Sequence, residues 1–299
     1  MNILFFGSKD RAVLCLEELL KHKWANVVGV VTYPDDDKHK FWKESLWDYA
    51  AQKGVKLFHQ VSHTDLKDKD IDLFILCGYN RIVPKELLAI PKKGTINLHA
   101  GMLPEYRGGS PMNWMIINGE KRGNAEILYA TEGIDEGDVL AKESFPINDD
   151  DTIEDVRLKV NSIFPKLLCA TLLRIQNGTL TCHPQVGRAC YYCSREPQDG
   201  YINWQCMTAK QVYDFVRALT HPYPGAFTYY TGRKVYVWKA SLLDKTIKHM
   251  PGRICFPKSR GMVVMSKDRC LLIERVQFEG TDKEQDACEC FQKGGYLGK

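Results

Sequence analysis

Apolar residues along the first half of the chain come in short dense runs separated by stretches of helical period. "NILFFG" (Asn2 to Gly7), "VVGVVT" (Val27 to Thr32), "IDLFILCGY" (Ile71 to Tyr79) and "GTINLHA" (Gly94 to Ala100) have the length and continuity of strands buried on both faces. Between them "RAVLCLEELLKH", "SLWDYAAQKG" and "VPKELLAI" repeat their apolar positions at helical spacing, and the second closes on a glycine stop. Apolar strands alternating with helices predict an α/β fold, a Rossmann-like parallel sheet with helices on both faces. Two further strands, "AEILYAT" and "DVLAKESFPI", precede a long helix from about Thr152 to Gln176. From about Cys206 the rhythm changes to one helix, "TAKQVYDFVRALT", and short strands such as "GAFTYYT", "KVYVWKA", "GMVVMS" and "CLLIERVQF". Short strands with turn residues between them predict a small β-rich domain, a barrel or a sandwich. The expected division is residues 1–207 and residues 208–299.

Composition narrows the function classes. With 44% hydrophobic and 26% charged residues, the chain reads as an ordinary globular protein. No run approaches the ~18 apolar residues of a membrane span, and Lys9, Asp10 and Arg11 interrupt the N-terminal apolar stretch, which therefore is no secretion signal. The net charge of +4 argues against a dedicated nucleic-acid partner. Basic clusters at Lys38 to Lys43 and Glu120 to Gly123 read as solvated surface. Eleven cysteines, five of them (Cys15, Cys77, Cys169, Cys255 and Cys270) inside apolar runs, fit reduced thiols and a cytoplasmic protein. "CYYC" at Cys190 to Cys193 has redox or zinc spacing but lacks a second close pair, so no metal is expected there.

The chemistry concentrates where a strand ends. In "TINLHAGMLPEYRGGSP" (Thr95 to Pro111), Asn97 and His99 stand two apart and share a strand face. An amide donor beside a group that moves protons near neutrality suits acyl transfer. On their own, the two read as a strand-end asparagine and a satisfied histidine. After them come a Leu-Pro turn and glycines, where backbone must approach something closely. Further on, "EGIDEGDVL" puts Asp135 in a glycine-flanked loop. It could orient an imidazole, and by itself it reads as a turn aspartate. The first strand-to-helix turn, "GSKDRAV", lacks G-x-G-x-x-G, so a dinucleotide site is not expected.

Together "NLHAGMLPEYRGGSPMNWMIINGE" and "GIDEGDVL" resemble the signature of folate-dependent formyltransferases. "RALTHPYPGAFTYY", "PGRICF" and "CLLIERVQFEG" resemble the C-terminal, OB-like domain of the same family. The resemblance implies 10-formyltetrahydrofolate as formyl donor, with Asn97, His99 and Asp135 at the catalytic positions. It places the pterin against the loop of Tyr79, Arg81 and Ile82. "MNWMIINGE" and "HPYPGAF" look most similar to sugar N-formyltransferases. The acceptor expected from them is an amino sugar on a UDP, dTDP or GDP carrier, destined for glycan synthesis. Ser8, Lys9, Tyr106 and Tyr223 would then meet the nucleotide side, with Tyr223 or Phe227 stacking on the base. A homodimer is implied as well. A methionyl-tRNA formyltransferase, a 10-formyltetrahydrofolate hydrolase and a binding module without turnover are the alternatives.

Overall fold

The computed structural model describes residues 1–33 and 45–298, so the basic cluster at Lys38 to Lys43 lies outside the described residues. In chain order the strands are β1 (Asn2–Gly7), β2 (Asn26–Val31), β3 (Leu57–Phe58), β4 (Leu73–Cys77), β5 (Thr95–His99), β6 (Arg107–Gly108), β7 (Arg122–Tyr129), β8 (Val139–Pro146) and β9 (Tyr191–Tyr192). They continue as β10 (Ala226–Tyr230), β11 (Arg233–Leu242), β12 (Ile254–Lys258), β13 (Gly261–Met265), β14 (Cys270–Phe278) and β15 (Gln285–Asp286). The helices are α1 (Lys9–Leu20), α2 (Leu46–Gln52), α3 (His63–Leu66), α4 (Lys85–Leu88), α5 (Pro111–Ile117), α6 (Ile153–Gln176), α7 (Ala209–Leu219) and α8 (Ala287–Cys290). Among the described residues no helix is long and apolar enough to cross a membrane.

The chain forms two compact units, one of residues 1–111, 122–146 and 157–193, the other of 112–121, 147–156 and 194–299. The first is built on a seven-stranded sheet of order β3-β2-β1-β4-β5-β7-β8. Its first five strands run parallel, while β7 and β8 are antiparallel to their neighbours. The central strands are dry: Ile3, Phe5, Leu73, Phe74, Ile75 and Ile96 have no exposed surface. Burying strands this completely drives the sheet together, at about 25 cal/mol per Å² of apolar surface. A parallel order of this kind brings the carboxyl ends of β4 and β5 side by side, which is where polar side chains can converge.

The second unit carries an antiparallel sheet of order β10-β11-β14-β13-β12, with β15 added to β14. Helix α7 begins at Thr208, whose hydroxyl accepts from the Gln211 amide while the Gln211 side chain accepts from the Thr208 amide, a reciprocal cap. Its apolar stripe, Val212, Phe215, Val216 and Leu219, is buried.

Candidate active site

β5 ends at His99, and its alternation sets Asn97 and His99 on the same face of the sheet. Asp135, from the loop between β7 and β8, completes the group. The Asn97 Nδ2 donates to Asp135 Oδ1 at 2.9 Å, and the Gly108 amide donates to Asp135 Oδ2 at 2.9 Å. His99 Nδ1 lies 3.4 Å from Asp135 Oδ2. The other ring nitrogen, Nε2, is 2.6 Å from the carbonyl oxygen of Tyr106. The His99 side chain is 6% exposed and that of Asp135 11%, so the carboxylate meets its partners largely out of water, where each contact counts for more. The three residues singled out in the sequence thus sit together, with Asp135 as the hub.

The Leu-Pro turn and the glycines build the wall of this hub. Gly108 has φ +91, and a Cβ there would stand 2.3 Å from the Tyr192 carbonyl oxygen. Only glycine allows that approach, and it lets β6 pair in parallel with β9. The "CYYC" segment therefore enters the site as a strand. The Cys190 amide donates to the Pro104 carbonyl, and the Arg107 amide donates to the Cys190 carbonyl. Cys190 and Cys193 are both exposed.

Several side chains at the site carry no signal in the sequence pattern. Arg107 Nη1 donates to the Tyr191 hydroxyl at 2.5 Å, and the Tyr191 hydroxyl donates to the Glu136 carboxylate. Gln185 bonds both the Asp135 loop and Arg107. Glu126, paired across from His99 on β7, is 2% exposed. It accepts from Asn124 Nδ2 and from the Leu103 amide, and burial pushes its carboxyl above the usual range. Leu103, Glu126, Lys142, His183 and Gln185 line a cavity of about 450 Å³ beside the hub.

The remaining expected site residues divide. Tyr79, Arg81 and Ile82 follow β4. Tyr79 packs edge-on against Phe6, Arg81 covers the Tyr33 ring, and Ile82 is 87% exposed. Ser8 is buried, and its hydroxyl donates to the Gly78 carbonyl at 2.5 Å. Lys9 sits in the left-handed region at φ 68, and burial, then Arg11, lowers its pKa. Tyr106 is buried with its ring stacked on Tyr192, so it serves the site through its carbonyl oxygen. Tyr223 belongs to the second unit, in the turn before β10, and Phe227 is a buried core residue there.

The chain matches the formyl transferase family over residues 1–172 and the C-terminal domain of formyl transferases over residues 195–293. It belongs to the formyl transferase family. It is 31% identical to the methionyl-tRNA formyltransferase of Alkaliphilus oremlandii, over 100% of both chains. To the methionyl-tRNA formyltransferase of Acetivibrio thermocellus it is 34% identical, over 94% of this chain and 93% of that one. Among solved structures it is similar to an N-formyltransferase from Helicobacter canadensis in complex with folinic acid and dTDP-3-aminofucose, with a TM-score of 0.71 and 21% identity. That match covers 91% of this chain and 97% of the other, and at such identity it is a likeness of fold.

These findings overturn the expectation of a nucleotide-linked amino sugar as acceptor. The end-to-end relatives at 31–34% identity are named for methionyl-tRNA. The structure gives the physical reason the sequence misled. Asn113 of "MNWMIINGE" is 1% exposed and its Nδ2 donates to the Ala218 carbonyl, while Arg195 covers the Trp114 ring. "HPYPGAF" turns the chain into β10, with Gly225 packed under the Trp238 ring. Both stretches hold the second unit together rather than mark an acceptor.

Proposed function

We propose that the protein transfers a formyl group from 10-formyltetrahydrofolate to the amino group of methionyl-tRNA. The acceptor rests on one observation, the near-full-length match to methionyl-tRNA formyltransferases at 31–34% identity. The donor is supported by the exposed Ile82 beside the half-buried Tyr79, an apolar ledge at the carboxyl ends of β4 and β5 that suits a flat heterocycle. When bound, the donor supplies the activated formyl group.

The chain's own residues divide the remaining work. Asn97 gives one N–H to Asp135 and keeps the second for a carbonyl oxygen gaining negative charge. The short Nε2 contact to the Tyr106 carbonyl puts that nitrogen's proton in place, leaving Nδ1 as the proton-accepting nitrogen. Asp135, beside Nδ1, steadies the imidazolium once the amine's proton arrives. Net charge is no obstacle to a tRNA, since affinity depends on local phosphate contacts and the counterions they release.

The test supplies purified protein with 10-formyltetrahydrofolate and methionyl-tRNA, with free amines and water as competing acceptors. Formyl-methionyl-tRNA is expected to form much faster than formate is released without an amine, and its rate to fall steeply with salt. Faster transfer to a small amine than to methionyl-tRNA overturns the reading.

A further inference from the structure

The loop that carries Asp135 is short of local support. Asp135 itself stands at φ 52, in the left-handed region, and Gly137 is so close to β7 that a Cβ would lie 1.9 Å from the Tyr129 carbonyl oxygen. Such a loop keeps its geometry only when something outside it fixes the backbone. Among the described residues, Gln185 is the side chain from outside the loop that bonds its backbone carbonyls. Gln185 Nε2 donates to the Asp135 carbonyl at 2.7 Å and to the Gly137 carbonyl at 2.8 Å. Its Oε1 accepts from Arg107 Nε at 3.1 Å and from Arg107 Nη2 at 2.9 Å.

Both ends of the clamp are themselves anchored. The segment bearing Gln185 is pinned to β8, because the His183 amide and carbonyl exchange hydrogen bonds with those of Val139, each at 2.9 Å. Arg107 precedes Gly108, whose amide holds the Asp135 carboxylate, and its guanidinium reaches Tyr191 on β9. The carboxamide thus couples the backbone of the Asp135 loop to the residue next to the donor that orients its side chain. It uses two N–H groups and both lone pairs, a combination that only a primary amide offers. A glutamate of the same length would keep Arg107 and turn oxygen toward two carbonyl oxygens.

We propose that Gln185 is a positioning residue for formyl transfer, setting the place of Asp135 against Asn97 and His99. This rests on the formyl-transfer reading of the site, not on the identity of the acceptor.

The experiment compares Gln185→Glu and Gln185→Met with the parent protein, each alone and combined with Asp135→Asn. Rates are followed both as formyl transfer and as formate release, so a failure of methionyl-tRNA as acceptor is seen separately. Misplacing a reacting group by about 1 Å can cost on the order of 10²-fold. Both variants are expected to lose about that much in kcat, with KM for the formyl donor within about threefold, because the Tyr79–Ile82 loop is not touched. In the double variants the loss is expected to be no larger than for Asp135→Asn alone, since Gln185 acts through that residue. Losses that multiply, a kcat within threefold of the parent, or failure of both variants to fold would each overturn the proposal.

Discussion

Two largely enclosed carboxylates, one in each unit, contrast a structural aspartate with the one proposed for chemistry. In the second unit Asp214 is 3% exposed, with Lys210 Nζ 2.6 Å from both of its oxygens and Arg217 Nε 2.9 Å from one. Arg217 is itself buried and donates to the Asp151 carbonyl at 2.6 Å. Two cations pair with Asp214, and through Arg217 the cluster ties α7 to the stretch before α6. Asp135 in the first unit accepts from a neutral amide side chain and a backbone N–H, and the titratable group facing it is His99. Neutral donors orient its carboxylate, and in the proposed mechanism its charge is left to steady the His99 imidazolium. The lesson is that partner chemistry, not burial, distinguishes the two.

The comparison breaks most visibly at its chemical member. Asp135→Asn, like His99→Asn and Asn97→Ala, is expected to lower turnover about 10²–10⁴-fold, some 3–5 kcal/mol of barrier by about 1.4 kcal/mol per decade. The melting temperature should hardly move; turnover within threefold of the parent for all three would sink the assignment. Asp214→Ala should do the reverse. Leaving Arg217 buried without its carboxylate costs about 3–5 kcal/mol of stability, to be read from denaturant midpoints. An unchanged midpoint would refute the structural role.

Gly108→Ala tests the donor that holds Asp135. The left-handed φ alone costs about 1–3 kcal/mol, and the clash with the Tyr192 carbonyl must move either β6 or β9. Both stability and turnover are therefore expected to fall, and a variant that loses only stability would show the Gly108 amide to be dispensable.

The smallest effect concerns Glu126, whose carboxyl is raised above its ordinary 4.5 by burial. Such a group binds its proton more tightly in the folded chain, so stability is lost as pH climbs through the folded-state value. Glu126→Gln keeps an oxygen for Asn124 and Leu103 and removes the charge. It should stabilise the fold at pH 7 to 8 by on the order of 1 kcal/mol. Near pH 4, where the carboxyl is protonated in both states, the difference should vanish. Equal melting temperatures at both pH values would disprove the charge penalty.

What could be read in the sequence follows from the range of each signal. The Asn97–His99 pair is a period-two pattern inside one strand, and β5 places it as expected. The strands of the parallel core announce themselves by continuous apolar runs, but direction leaves no mark on periodicity, so the reversal at β7 and β8 was not visible. Asp135 stands out in its glycine-flanked loop but by itself reads as a turn aspartate, and only the resemblance pairs it with Asn97, because 38 residues separate them. Gln185 gave no signal at all, since a carboxamide acquires a role only from what its two ends touch, and the nearby cysteines are the more conspicuous residues. The contacts of Ser8 and Asn113 are hidden in the sequence for the same reason. Their polar atoms answer to the backbone carbonyls of Gly78 and Ala218, a demand the linear chain does not display.

The second unit draws on three separate stretches of chain, two of which, 112–121 and 147–156, are made well before the third, Ser194–Lys299. On a ribosome adding about 5–20 residues per second, those early stretches wait roughly 5–20 seconds for their partners. Met115, Ile116, Ile153 and Val156, all fully buried in the finished protein, spend that interval without the α7 and sheet residues of their own unit. The newborn chain therefore carries a timed patch of stickiness, and its yield in a cell should depend on elongation rate and on chaperones that shield apolar segments.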